Sequence, residues 1–512
     1  MDFSQFLALH EEISLVAALV LLLVYDLFAP EKARRHIPLV ACLLMGAHTL
    51  VCALGFAAES GLCGVGGLGG QTAGAAQAGR SAFAGMYSVS PAGLLFKNIL
   101  NIGVLLICMQ AYPFLRRKDQ AIKAGEFYFL LFATLFGMNL MLSAGHFLLF
   151  FVGMETASIP LAALVAFDKY ERRSAEAGAK FILSTAFASG LSFFGLSLIY
   201  GGTGSLYFDD IHNFLTPTPL LLGGMVLLCS GLFFKISLVP YHLWAADVYE
   251  GAPTPVSTYL SVISKGAGVF GLCLVLTRVF PLFIQAWQTV LYILILLSIT
   301  VGNLFALRQK NMKRFLAFSS ISQAGYIVLG IFSASPAGLS ALMYYIFVYI
   351  LANVAAFGVV QLVEQHGGRT DMTAYNGLYK TNPMLSVALM FALFSLAGIP
   401  PFAGFFSKFF IFAATAESGA YALLLVALLN TVISLYYYLL VVKAMFILPP
   451  EGTAGDAEAT GGDASSSTQR PVPAFKSETA PRIVLTVCTA GILLAGLVSG
   501  IYALIHQTVL LG

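Results

Sequence analysis

Four ionisable residues stand deep inside apolar stretches of the chain: Glu155, Lys235, Lys265 and Lys408. A charge near the middle of a bilayer costs roughly 2.5–3.5 kcal/mol on insertion scales, and the residues that carry one line polar paths through a protein. Lys235 and Lys265 flank one joint, in FFKISLVPYHLWAADVYEGAPTPVSTYLSVISKGAG from Phe233 to Gly268. The apolar run breaks at Pro240, crosses a short polar hinge and resumes at Pro253. Lys408 follows a second break, Pro400-Pro401, in SLAGIPPFAGFFSKFF. Proline inside a span frees backbone carbonyls and admits water or a polar side chain. Burial drives a lysine towards its neutral form and a nearby carboxylate holds it charged, so an amine between the two takes up and releases a proton as its partner moves. A static ion pair that fixes helix packing is the alternative. Three deep lysines against one deep glutamate do not balance as such a pair would.

Other polar residues divide by position. Lys97, Lys180 and Lys443 fall within a turn or two of a span end, where a lysine snorkels to the headgroups. His242, just past the Pro240 break, is either a satisfied interfacial residue or a group that passes protons to Lys235 or Lys265. Ser319, Ser320, Ser322 and Gln323 share one apolar span and either hold water or pack helices. Tyr344-Tyr345 and Tyr436-Tyr437-Tyr438 read as packing or interface residues.

The elements that must position these residues are membrane helices. The 512 residues are 59% hydrophobic and 10% charged, with a mean hydropathy of +0.86. A soluble domain carries about 25% charge, and no alternation of the barrel kind is present. The seven cysteines lie mostly in apolar runs without CxxC spacing and read as small buried hydrophobes. No metal, haem, iron–sulfur, P-loop or dinucleotide motif is found, so no cofactor is expected on this chain. The N-terminus lacks a basic leader region, and the first span is expected to be retained.

Apolar windows fall near 13–29, 37–58, 94–112, 126–144, 145–167, 176–200, 219–239, 253–276, 286–307, 312–333, 338–363, 383–414, 419–447 and 483–510, about fourteen spans in an all-α integral membrane protein. Odd-numbered connections carry nineteen Lys and Arg, and even-numbered ones carry two, Arg80 and Arg278. By the positive-inside rule the odd connections face the cytoplasm, and both termini lie opposite. Spans four to eight and nine to thirteen are five each, and an odd-numbered repeat inverts its topology. The expected units are a three-helix segment, 1–125, two five-helix repeats, 126–276 and 286–447, and a C-terminal helix, 483–512. The Gly-rich loop 59–90 and the polar loop 451–480, expected to be disordered, carry no chemistry.

Three stretches resemble a known family in the same order. They are the Phe234–Gly268 segment, NMKRFLAFSSISQAGYIVLG from Asn311 to Gly330, and LAGIPPFAGFFSKFFIF from Leu396 to Phe412. They are similar to the proton-conducting, antiporter-like membrane subunits of respiratory complex I, over about residues 95–450. The DVYEGAPTPV hinge most resembles the N-type branch, to which mitochondrial subunit 2 belongs. Lysine at position 408 fits that branch, since the L and M branches place glutamate there, but the D-type subunits of sodium/proton antiporters also tend to have lysine. The resemblance implies a relay in which Glu155 pairs with Lys235, Lys265 links the half-channels, and Lys408 leads to the far side. Lys180 aligns with a sixth-span lysine of the branch. It also implies that NADH, FMN, iron–sulfur clusters and quinone are bound by other subunits. The implied neighbours are the M-type subunit and the small K-, J- and A-type subunits, in a bacterial inner membrane. The alternatives are a sodium/proton antiporter subunit, a relative in a hydrogenase or other donor-linked dehydrogenase, and a stand-alone solute carrier.

Overall fold

A computed structural model describes residues 5–6, 8–59, 80–116, 123–449, 472–475, 478–498 and 500–511. Most of the Gly-rich segment 59–90 and of the loop 451–480 lies outside the described residues. The chain is a bundle of apolar helices. Those used below are α1 (His10–Phe28), α2 (Ile37–Glu59), α3 (Pro91–Leu115), α4 (Ala124–Leu142), α5 (Phe147–Val165), α6 (Arg172–Thr203), α7 (Pro219–Ile236), α8 (Leu243–Gly251), α9 (Thr254–Val279), α10 (Ile284–Ala306), α11 (Met312–Phe332), α12 (Pro336–Gly367), α13 (Pro383–Ala397), α14 (Ala403–Glu417), α15 (Tyr421–Phe446), α16 (Thr479–Leu497) and α17 (Gly500–Leu510). One hairpin, β1 (Arg80–Ala82) with β2 (Tyr87–Val89), caps the end of the bundle where α4 turns into α5: Ser88 N–H donates to Ser143 and Gly145 N–H to Met86.

Twelve of these helices are long and apolar enough to cross a membrane, each overlapping one of the fourteen expected windows and several running past its ends. The window at 13–29 is α1, which starts earlier and carries Glu11, Glu12 and Asp26. The window at 383–414 is two shorter helices, α13 and α14.

Burial sorts the helices into a centre and a rim. Every residue of the α11 window is buried, as are 94% of the α12 window and 89% of the α9 window, against 33% in α2, α6, α15 and α16. The central helices therefore touch protein on all sides, and the rim helices turn a leucine- and valine-rich face outward. Neighbouring helices approach closely where glycines remove side chains. A Cβ added at Gly137 in α4 would come within 2.4 Å of the Ala157 nitrogen, and one at Gly153 in α5 within 2.5 Å of the Met141 nitrogen. Small residues at a membrane helix crossing let backbones meet in this way.

Both expected breaks are present and share one construction. α7 ends at Ile236, Ser237 turns left-handed at φ +66°, and Leu238 N–H donates back to Phe233 O. α13 ends at Ala397, Gly398 turns left-handed at φ +86°, and Ile399 N–H donates back to Phe394 O. This is the Schellman closure of a helix end. A cis X–Pro bond follows each, at Val239-Pro240 and Pro400-Pro401, and the chain restarts as α8 and α14.

Two expectations are corrected. Lys97 does not snorkel: it is 0% exposed and pairs with Glu12 at 2.6 Å and Glu11 at 3.4 Å. Nor is Glu155 the one acid deep in a span. Glu11 and Glu12 are buried because α1 extends past the apolar window and the hairpin closes over its end. Lys180 and Lys443 are exposed, near the helix ends where they were expected.

Gly153→Leu is expected to cost about 1–3 kcal/mol through overpacking against α4. The steady-state amount of the chain in membranes, read by immunoblot, should fall several-fold, and Gly190→Leu, at an open position, should leave it unchanged.

Candidate functional site

α5 places Glu155 and Ser158 about one turn apart, and α7 brings Lys235 against them. Lys235 is 9% exposed and donates to Ser158 Oγ at 3.1 Å, while Glu155 accepts from Ser189 of α6 at 2.5 Å. The two charges face each other without a direct ion pair among the described residues. A cavity of about 20 Å³ adjoins Lys235, lined by Ser158, Thr185, Ser189, Trp244 and Ser264, and holds room for one water. Trp244 of α8 closes it and donates Nε1–H to Phe234 O at 3.1 Å, using a carbonyl near the helix end. Glu155 and Lys235 therefore interact through charge, each holding a separate serine hydroxyl.

Lys265 lies on the same polar line one helix further in. It is 1% exposed and directly follows a π-helical turn, Leu260–Ser264. Such turns shift the register of a helix and recur at functional positions. Its ammonium donates to Ser320 O and Ser320 Oγ, both at 2.9 Å. Tyr249 and Ser261 lie beside Ser320, and Ser261 meets Tyr349 at 3.2 Å.

Lys408 lies in α14, just past the second break. It is 4% exposed, donates to Ala397 O at 3.0 Å, and sits 5.0 Å from the centre of the Tyr326 ring. The carbonyl that holds it belongs to the broken end of α13. Gln323 of α11 donates to the neighbouring carbonyl, Leu396 O, at 3.0 Å and to Tyr438 Oη at 3.2 Å, and accepts from Tyr345. Ser319 meets Tyr438 at 2.5 Å. Ser319, Ser320 and Gln323 thus carry polar groups along α11 from Lys265 to the break beneath Lys408.

The structure brings Glu155, Lys235, Lys265 and Lys408 into this one band. Lys180 stands apart: its side chain is 44% exposed and pairs with Glu176 at 2.8 Å and Asp247 at 2.7 Å. His242 lies at the start of α8, half-buried, and its Nδ1 has no hydrogen-bond partner among the described residues. Tyr345 and Tyr438, expected as packing residues, contribute hydroxyls to the chain. Nothing in their sequence neighbourhood marks them, since the partner Gln323 is far along the chain. Lys313, one of the nineteen basic residues counted with the odd-numbered connections, is buried and pairs with Glu364 at 2.8 Å beside Thr254. An open cleft of about 240 Å³ leads to that pair, with Asp168, Arg173 and Glu250 on its wall.

α8 is tied down by charge. Asp247 accepts from Lys180 and from Arg314 Nη1, each at 2.7 Å, and Glu250 accepts from Arg314 Nη1 at 2.9 Å. The Asp247 carboxyl sits below its ordinary range: burial pushes it up, but the hydrogen bonds and charges of Lys180 and Arg314 together pull it lower. Its contribution to stability is therefore present above the ordinary carboxylate range and is lost as pH falls through the lowered value.

Residues 144–434 match the family described as NADH:quinone oxidoreductase/Mrp antiporter, TM. A relative from Phocaeicola vulgatus, named NADH-quinone oxidoreductase subunit N, is 49% identical over 512 residues, 100% of each chain. A chain of the respiratory complex I from Thermus thermophilus is similar in structure, with a TM-score of 0.74 and 30% identity over 96% of this chain and 97% of that one. A chain of the Mrp complex from Dietzia sp. DQ12-45-1b has a TM-score of 0.82 at 21% identity, covering 100% and 97%, which is a likeness of fold.

Asp247→Ala removes a carboxylate shared by an exposed lysine, Lys180, and a partly exposed arginine, Arg314, so solvent screening keeps the loss to about 1 kcal/mol. Deuterium uptake at residues 243–251 should become several-fold faster, read by mass spectrometry of the protein in nanodiscs.

Proposed function

The chain belongs to the NADH:quinone oxidoreductase/Mrp antiporter transmembrane family, and from that premise we propose that it moves protons through Glu155, Lys235, Lys265 and Lys408 as a membrane subunit of an NADH-quinone oxidoreductase. It is a proton-translocating subunit, and the full-length relative at 49% identity carries the assignment to this enzyme rather than to an antiporter. The band of buried amines joined by hydroxyls carries the assignment of the residues.

Each amine has a neutral and a charged form, and each is held by groups that accept a hydrogen bond. A change of electrostatics at Glu155 alters the hold of Lys235 on its proton. Water in the small cavity and the hydroxyls of Ser158 and Ser264 offer a way onward to Lys265. From Lys265 the proton passes along Ser320, Ser319 and Gln323 to Lys408, with water filling the gaps. His242 and Lys180 lie at the cytoplasmic end as accessory groups, Lys180 holding α8 through Asp247. NADH, FMN, the iron–sulfur clusters and quinone belong to other subunits.

The fourteen-span plan fits this reading if α1 and the broken pair α13–α14 each count as a crossing. The two Schellman-closed breaks support a pair of inverted five-helix repeats, 126–276 and 286–447, behind a three-helix segment, 1–125, with 483–512 as the last crossing. The excess of Lys and Arg in the odd connections favours a bacterial inner membrane orientation with both termini outside the cytoplasm. M-type and small K-, J- and A-type subunits are the expected neighbours. The family description and the Mrp likeness favour one second reading, a D-type sodium/proton antiporter subunit. Affinity purification separates them: co-purifying iron–sulfur and quinone-site subunits that oxidise NADH support the first, and antiporter subunits alone support the second.

In assembled enzyme, Lys235→Ala should lower proton pumping by at least tenfold, measured by dye quenching in inverted vesicles. Normal pumping in that variant would remove Lys235 from the path. Glu155→Gln should reduce pumping with assembly intact on native gels. Gln323→Leu should lower pumping several-fold while leaving Lys265 and Lys408 in place.

A further inference from the structure

A second group of buried charges lies among the first three long helices, away from the relay. Glu11 and Glu12 of α1 are 0% and 2% exposed, and Lys97 of α3 is 0% exposed. Glu12 is well satisfied. It takes Lys97 Nζ at 2.6 Å, the Tyr87 hydroxyl of β2 at 3.0 Å and the Ser143 hydroxyl at 3.4 Å. Glu11 has only the ion-pair approach of Lys97 at 3.4 Å, and neither of its oxygens has a hydrogen bond among the described residues.

The surrounding groups are polar and incompletely used. Asn101 stands one turn from Lys97 on α3, beside His48 of α2, and Asn139 stands one turn from Ser143 on α4. Both asparagines are 0% exposed, and neither end of either amide has a hydrogen-bond partner among the described residues. His48 is itself buried and meets Ser14 Oγ at 2.7 Å. His10 and Arg80 pair at the rim, at 3.0 Å. Towards α9 the group is closed by apolar rings, with Phe96 stacked on Phe270 at 4.3 Å.

We propose that Glu11, Glu12 and Lys97 form a proton-holding site in which the two carboxylates keep one proton between them beside the ammonium. The charges inside the cluster point to it. Two carboxylates and one ammonium leave one negative charge among buried groups, with Arg80, beside His10 at the rim, as the further cation. An uncompensated buried charge is far more costly than a neutral acid, and two carboxylates sharing one site do not both stay ionised. The free ends of Asn101 and Asn139 supply the donors and acceptors that one or two waters need next to such a proton. The site is independent of the relay residues, so its test and theirs fail separately.

The carbonyl stretch of a protonated carboxylic acid reads the proton directly by infrared spectroscopy of the complex in lipid nanodiscs near neutral pH. Glu11→Gln and Glu12→Gln should each remove one acid signal, and the double variant should remove the same single signal. Two signals lost in the double variant would overturn a shared proton. No signal lost in either single variant would mean two ionised acids held by Lys97 and another cation, which also overturns it. The charge-balanced variant Lys97→Met with Glu12→Gln leaves Glu11 as a neutral acid and is expected to assemble with the wild-type acid signal. Assembly without that signal contradicts the proposal.

Discussion

Buried ammonium groups in an apolar bundle must be solvated by the protein itself. Lys235, Lys265 and Lys408 are each almost wholly inaccessible, and none has a carboxylate at ion-pair distance among the described residues. Each is held by hydroxyls or carbonyls instead. Oxygen acceptors stabilise a charged amine without fixing it as charged, because a neutral amine can keep part of the same contact. A tight carboxylate partner would lock the proton in place. In the proposed path, this weaker shell is what would let these lysines exchange it.

The helix breaks supply part of that shell. A helix end exposes carbonyls that an unbroken helix would use internally. At the first break Phe234 O is taken by Trp244, which closes the cavity beside Lys235. At the second, Ala397 O takes Lys408 and Leu396 O takes Gln323. α11 runs between the two breaks, buried along its whole length except at Arg314, and carries serines and a glutamine among its apolar residues. The Asp247 and Glu250 ion pairs hold α8, and with it Trp244, against the body of the bundle.

The breaks were legible because proline cannot continue a helix, and the deep charges were legible because their cost in a bilayer makes them rare. The connection from Lys265 to Lys408 was only half legible. Ser319, Ser320 and Gln323 stood out as polar residues in one span, but the tyrosines that complete the chain did not. Phe and Tyr are so frequent here that a single functional hydroxyl carries no compositional signal. The Glu11–Glu12–Lys97 group was missed for a different reason. Hydropathy placed the start of the first span at residue 13 and left its acids outside, and the partner lysine lies 85 positions away. Pairings at such separation are decided by how helices pack, which no local pattern encodes. Lys313, at the very start of its window, was counted with the basic residues of a connection, and its partner Glu364 lies 51 positions away.

The central claim is that protons cross by way of Lys265, the amine between the two halves. The direct measurement is proton flux into inverted membrane vesicles driven by NADH, with assembled enzyme carrying Lys265→Met, compared with wild type at equal enzyme content. Loss of most of the flux, whatever NADH oxidation remains, is the result this account predicts. Wild-type flux through a chain that has no ionisable group at position 265 would contradict it.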